Sequence, residues 1–468
     1  METESEGKLY RRLTAPVDGA SVAVVRIALG VLIAAESAAY LANDWIAVRF
    51  LDPAYHFTWE PFAWVQPWAG IGLYVHFAVL GALALCLAAG VAHRVVAPLV
   101  VVGFAYVFLL DKTEYLNHFY AAILFATLVA VAPSDRALSI SAWRHPARTP
   151  TVPVWAVWIL RFQVGVVYFY AGLAKLNADW LAGEPMTTWL VERGELALVG
   201  PLLEASWAGP AFSWGGLALD LLVVPLLLWR RTRVAAYCVA VAFHVTNWIV
   251  FDIGIFPPMM IAATTIFFDP GWPRRAWSRS RRLATRIGRP APSRPSTAAP
   301  AAAAAAAPGS RAPARRATRV LVPALAAWIA IQLLVPLRHH LYPGLVHWTE
   351  EGHRFSWHMK LRDKQGSARF FAVDRRTGER RRLDPFDLIT RRQHVQASVR
   401  PDMLLQLARA LGEREREAGR DVEVRVEAVV SLNGRPPRDL VDPDRDLTTV
   451  PRGIRAADWI EPEPPPRT

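Results

Sequence analysis

Between Val22 and Leu341 the chain is dominated by long runs of apolar residues, and most of its charge follows Arg274. A helix needs about 20 such residues to cross a bilayer core of roughly 30 Å. Nine runs approach that length, at about 21–41, 70–91, 94–110, 117–133, 153–175, 212–229, 233–251, 253–268 and 320–340. Hydrocarbon offers backbone amides no partners, so such runs fold as helices packed side by side. The expectation is an all-α polytopic membrane bundle of about nine transmembrane helices. FDIG (Phe251–Gly254) reads as a tight turn between the seventh and eighth runs, and Pro257 and Pro258 imply a tolerated kink early in the eighth.

Charges between the runs orient them. With Arg11 and Arg12 on the cytoplasmic side, alternation places Arg94, the Arg136–Arg148 group, Arg230–Arg233 and an Arg-rich stretch on that side too. The opposite loops, DKTEYLNH, KLNADWLAGEPM and FDIG, carry far fewer cations. The chain is therefore expected to be a multi-pass cell-membrane protein with a cytoplasmic N-terminus. METESEGKLYRRLTAP lacks a cleavable signal pattern, so the first run should stay in the mature protein.

This divides the chain into a cytoplasmic segment 1–20, a transmembrane catalytic domain 21–268 of eight spans, a linker 269–318, a ninth helix 319–341 and an extracytoplasmic α+β domain 342–468. Twelve Arg and one carboxylate between Asp269 and Arg319 supply most of the formal net charge of +13. The density of Pro and Arg there predicts a disordered cytoplasmic tether rather than a packed core. No aromatic residues interleave its Arg in a stacking pattern, so nucleic acid is not an expected partner; the lipid bilayer is. In the tail, FSWHMKLRD, ARFFAVDRRTGERRRL with a turn at Thr377-Gly378, and VEVRVEAVVSLNG read as strands. Pro401 through about Glu417 reads as an amphipathic helix opened by Pro-Asp.

Polar residues gather at one expected depth, the outer ends of the spans. Asn117 and His118 open the fourth, Lys175 closes the fifth, and His244 and Asn247 share a helix face near the end of the seventh. Tyr168, Ala171, Gly172 and Lys175 fall at i, i+3, i+4 and i+7, a small-residue face that lets a ligand or a neighbouring helix approach the lysine. Each has a bland reading beside the functional one: a terminal lysine commonly snorkels to the headgroups, and a membrane histidine is commonly a packed, hydrogen-bonded residue. Arg26, Arg161 and Asp220 lie deeper and read as buried ion pairs fixing helix register; an Arg161–Asp220 pair would need long reach. His339, His340, His347, His353 and His358 crowd the start of the tail and read as solvated, since none sits at a sharp metal-ligand spacing with a carboxylate. Cys86 and Cys238 both fall inside apolar runs, which excludes a disulfide framework or a cysteine metal site.

At these residues the chain resembles the vitamin K-dependent γ-glutamyl carboxylases, with an HTTM-type membrane domain. YVFLLDKTEYLNHFY (Tyr106–Tyr120) is similar to that family's YVFLLDKT-x3-NH-x-Y stretch, and VYFYAGLAKLNADW (Val167–Trp180) to its VYF-x-AG-x2-KL-x-ADW segment. GLALDLL around Asp220, FHVTN around His244, IGIF, WPRR and WTEEGHRFSWHMKL (Trp348–Leu361) match as well, in the same order.

The resemblance implies a bacterial peptidyl-glutamate 4-carboxylase-like lyase. Its co-substrates would be reduced vitamin K (a menaquinol- or phylloquinol-type hydroquinone), O2 and CO2, without a metal. It implies Lys175 as the base, with His118 and Asn117 beside the quinol oxygens. His244, Asn247 and Tyr168 are expected to line the same cofactor site, His244 on the strength of a matching family histidine. A lysine amine in water is protonated at neutral pH, and desolvation at the membrane edge favours the neutral form a base requires. The implied partner is a secreted Glu-containing peptide or protein. Departures from the family pattern include Ala174, where animal enzymes commonly carry a second lysine, and the absence of cysteines linking the two domains. Two other functions stay open: a quinol-oxidising enzyme that never carboxylates glutamate, and a quinone-binding membrane scaffold without activity.

Overall fold

A computed structural model describes residues 2–195, 199–251, 253–287, 311–451, 453 and 455–464. Six of its helices are long and apolar enough to cross a membrane. They are α1 (Ala20–Ala42), α2 (Ile71–Ala89), α5 (Val154–Ala174), α6 (Ala208–Leu228), α7 (Arg233–Val250) and the stretch Val320–Leu341, which holds the apolar part of α9 (Arg311–Leu334). The other three expected spans form shorter apolar helices: α3 (His93–Leu109), α4 (Asn117–Val131) and α8 (Phe256–Thr264). Helix α8 begins at Phe256, so Pro257 and Pro258 occupy its first turn, where no amide partner is lost and no kink is needed. Asp252 of the expected FDIG turn lies outside the described residues.

Helix α5 is the centre of the bundle. Two-thirds (67%) of its most apolar window is buried, against 11% for the last span. It packs on α4, α6, α8 and α9. Close approach elsewhere rests on small residues: a Cβ on Gly30 of α1 would lie 2.5 Å from the Ala84 carbonyl oxygen of α2. The outward faces of the long helices keep Val75, Leu85, Leu222, Trp248 and Ile249 more than half exposed, the pattern of helices that meet lipid.

Both ends of the stretch 269–318, expected as a disordered tether, are helical. Trp272–Ile287 is helical and α9 starts at Arg311, while 288–310 lie outside the described residues. Local ion pairs hold the first of these helices in place. Arg275 meets Asp269 at 2.8 Å, and Arg274 meets Asp18 at 3.0 Å.

The C-terminal region carries the strands β1 (Lys364–Asp374), β2 (Arg380–Leu383), β3 (Val422–Leu432) and β4 (Arg438–Asp439). They form one antiparallel sheet in the order β2-β1-β3-β4, with Phe370 opposite Val426. Alternation turns Phe370, Val424 and Val426 inward onto Leu404, Leu407 and Leu411 of α11 (Pro401–Glu417). A further helix, α10 (Arg391–Ser398), has no counterpart in the sequence reading; Thr390 and Gln393 form a capping box at its start. FSWHMKLRD, expected as a strand, is irregular instead: Phe355, Trp357 and Lys360 all have positive φ. Strand-like alternation is overridden there because the segment folds back on the bundle, Phe355 packing on Trp59 and Tyr115, Trp357 on Tyr120.

Bundle and sheet region are joined by buried polar contacts. Asp111, at the end of α3, caps its own turn through Thr113 and accepts a 2.8 Å bond from Gln393 of α10. The same Gln393 donates to the Tyr55 carbonyl in the α1–α2 connection.

Candidate functional site

The residues expected at the outer ends of the spans, Asn117, His118, Lys175, His244 and Asn247, line one cavity of about 750 Å3, together with Tyr168. Its floor is the helical bundle and its roof is the irregular segment from Glu350 to Arg362, with Arg400.

Lys175 caps the C-terminus of α5 and is buried, 6% exposed. Its Nζ donates to the Ala171 carbonyl at 3.2 Å and to Asp220 Oδ2 at 2.7 Å, and lies 5.1 Å from the centre of the Trp180 ring. An ammonium has three donors, so one direction remains for a ligand. The expected small-residue face admits the neighbouring helix: a Cβ on Gly172 would lie 2.6 Å from Leu221 Cδ2 and 3.2 Å from Asp220 Cβ. Glycine at 172 is what brings the carboxylate of α6 to the amine of α5.

Asp220 is thus committed to Lys175, and the Arg161–Asp220 pair does not form. Arg161 instead donates to the carbonyls of Ile266 and Phe268, at 2.9 and 3.2 Å. Arg26 likewise donates to the carbonyls of Leu87 and Leu138. Both guanidiniums bond main-chain oxygens rather than the expected carboxylates, and the Leu87, Ile266 and Phe268 carbonyls lie at helix C-terminal ends, where cations are favoured. The sequence reading did not foresee that a buried carboxylate touches the Lys175 amine.

Two turns deeper on the same face of α5, Tyr168 Oη lies 2.7 Å from His244 Nε2 of α7, and the buried Nδ1 of His244 has no protein partner. Asn117 is partly spoken for: its Oδ1 accepts from Tyr115 at 3.0 Å and its Nδ2 donates to the His358 carbonyl at 3.3 Å. One amide N–H is left over. His118 sits under the α7–α8 turn, where Gly254 has φ +56° and a Cβ would come within 3.3 Å of His118 Nε2. Only glycine satisfies both demands.

The KLNADW segment explains itself residue by residue. Asn177 accepts from the Trp180 amide and starts a helical turn; Trp180 covers the amine and donates to the Ser213 carbonyl at 2.8 Å. Asp179 reaches the sheet region, pairing with Arg435 at 2.5 Å and Asn433 at 2.6 Å. Sequence reading missed this tie, because nothing local distinguishes a docking carboxylate from a solvated one.

The roof is richly charged. Arg362 clamps Glu350 through two bonds of 2.7 Å, with Lys364 3.6 Å away, while Arg354 and Lys112 share Asp402 at 2.8 and 3.2 Å. Burial raises the Glu350 carboxyl, but the charges of Arg362 and Lys364 outweigh it and hold it below the ordinary range. Burial lowers Lys364 to about 7. The tail histidines correct their expected solvation: His347, His353 and His358 are buried, and only His340 is exposed. Burial, seconded by the Arg362 charge, lowers His347 to about 4, and His353 falls well below its usual value for the same reasons. His358, lowered by burial and by neighbouring His347, is bonded to it at 3.1 Å, and its buried Nε2 has no protein partner. Among the described residues no group of three or more His, Cys, Asp or Glu is arranged to hold a metal ion.

A cavity with an apolar floor, unpartnered buried ring nitrogens and an amine at its base fits an aromatic ring bearing oxygen substituents. The HTTM domain model matches residues 14–272, more than half of the chain, and defines an integral membrane protein. The model of the vitamin K-dependent gamma-carboxylase, lumenal domain, matches residues 317–465, so the chain belongs to the vitamin K-dependent γ-carboxylase family. That membership carries a carboxylase-like function and implies reduced vitamin K, O2 and CO2. No solved structure matches the chain.

Proposed function

We propose that the protein couples oxidation of a membrane quinol by O2 to γ-carboxylation of a peptidyl glutamate, in the cavity between the bundle and the Glu350–Arg362 roof. The observation that carries this reading is the Lys175–Asp220 pair at the cavity's base. With one proton between them, amine and carboxylate form a net-neutral unit. That unit accepts a further proton from the quinol hydroxyl, becoming ammonium beside carboxylic acid. Its positive charge then faces the oxygen that has lost the proton. His118, His244 and the spare N–H of Asn117 orient the ring, with Tyr168 fixing His244 and Asn247 one turn along the same face. Reduced vitamin K with O2, when bound, supplies the strong oxygen base that removes the glutamate γ-proton. The cationic roof of Arg354, Arg362 and Arg400 suits a peptide arriving with a carboxylate. This reading sets the nine apolar helices across the membrane with the sheet region outside the cytoplasm.

The test is incubation of purified protein in lipid with reduced vitamin K, O2, labelled CO2 and Glu-containing peptides. Vitamin K epoxide together with labelled peptide is expected. Epoxide without labelled peptide selects a quinol-oxidising enzyme instead; neither product selects a non-enzymatic scaffold.

A further inference from the structure

We propose that a side window between α6 and α7 seats the hydrophobic tail of the quinol, leaving its ring inside and its chain in lipid. This rests on the quinol reading above and adds where the ligand leaves the protein. The cavity wall is formed there by Gly215 and Leu219 of α6 and by Val239, Ala242 and Thr246 of α7. Gly215, Val239 and Ala242 belong equally to the outer surface, with Val239 58% exposed. Residues that line a cavity and are also exposed mark its opening. A Cβ on Gly215 would meet nothing within 4 Å, whereas one on the adjacent Gly216 would lie 3.8 Å from Lys175 Cε. The opening is therefore one residue from the amine's own wall.

Its surroundings decide what passes. Trp214, Leu222, Val245, Trp248 and Ile249 flank it on the outer faces of the two helices, all exposed. None of these side chains is charged, unlike the roof. Two exposed indoles beside the opening suit the headgroup depth of a membrane, with the aliphatic residues deeper. A polar peptide gains nothing on such a surface. An isoprenoid chain does, since each methylene moved from water to an apolar surround is favoured by about 0.8 kcal/mol.

Two measurements test it. Gly215→Phe puts bulk into the window, and Val75→Phe puts an aromatic ring on the lipid face of α2, away from the cavity. The ratio of KM for a long-chain menaquinol to KM for menadiol, which has no tail, should rise about tenfold in Gly215→Phe and stay put in Val75→Phe. An equal ratio in both variants overturns the window. Separately, a menaquinone carrying a photoreactive group on its tail should label peptides from 208–228 and 233–250 in the unmodified protein. Label confined to other helices overturns the window while leaving quinol turnover intact. Failure to bind or turn over any quinone defeats the parent reading and the window together.

Discussion

The two walls of the cavity solve the problem of buried charge in opposite ways. The bundle wall holds a single ion pair, Lys175–Asp220, among apolar helices and aromatic rings. The roof holds a lattice in which Glu350 serves Arg362 and Lys364, and Asp402 serves Arg354 and Lys112. A lone pair has no understudy, so losing either member leaves an uncompensated charge. A lattice spreads the loss. Chemistry that needs a movable proton belongs on the first wall, and recognition that needs steady charge belongs on the second.

The sharpest way to break this contrast is Lys175→Ala. Epoxide formation should fall by about 10^3-fold, the range lost with a positioned acid–base group, while expression persists. Undiminished epoxide would remove the bundle wall from the chemistry. Next is Glu350→Ala, which strips Arg362 and Lys364 of their shared counter-charge. Thermal unfolding in detergent, followed by Trp fluorescence, should show a loss of about 3 kcal/mol. A negligible loss would show that neighbouring charges take over the counter-charge role of Glu350.

Acid should then act on the roof. His347, His353 and His358 titrate lower in the folded protein than in the unfolded chain, where a histidine sits near 6.5. The unfolded state therefore binds protons first. Stability is full above about pH 6.5 and declines as pH falls toward 4, by about 3 kcal/mol for His347. His347→Gln should flatten that decline, and a melting profile of unchanged steepness would contradict it. The smallest effect is Gly172→Ala, which forces α5 and α6 apart at a cost of about 1–2 kcal/mol in stability. Epoxide turnover should drop with it, because the Asp220 carboxylate moves with α6; a variant with normal turnover would show that the pair's spacing is not critical.

Much of the bundle was legible in sequence, since a run of apolar residues in lipid has almost no choice but to be a helix. The helix at Pro401–Glu417 was equally plain, with Pro at its first position, Asp402 in its first turn and apolar residues at helical spacing. The five residues expected at one depth do line one cavity, because the outer ends of their spans come together, and Tyr168 joins them from deeper in α5. What could not be read was set by distant partners. Asp220 looked like a structural charge until Gly172 brought it to Lys175. The segment Phe355–Asp363 alternates like a strand, yet its aromatic residues find the bundle more rewarding than a sheet edge. The tail histidines looked solvated because their burial is supplied by other segments, not by their neighbours in sequence.

Asp179 stands four residues after Lys175 and is gripped by Arg435, far along the chain in the sheet region. The bond makes the two halves poor candidates for independent exchange. A recombinant that borrowed its outer half from a distant relative would inherit a hole beside the amine unless the matching acid and base travelled together. Modular by sequence, the molecule is a single piece by anchorage.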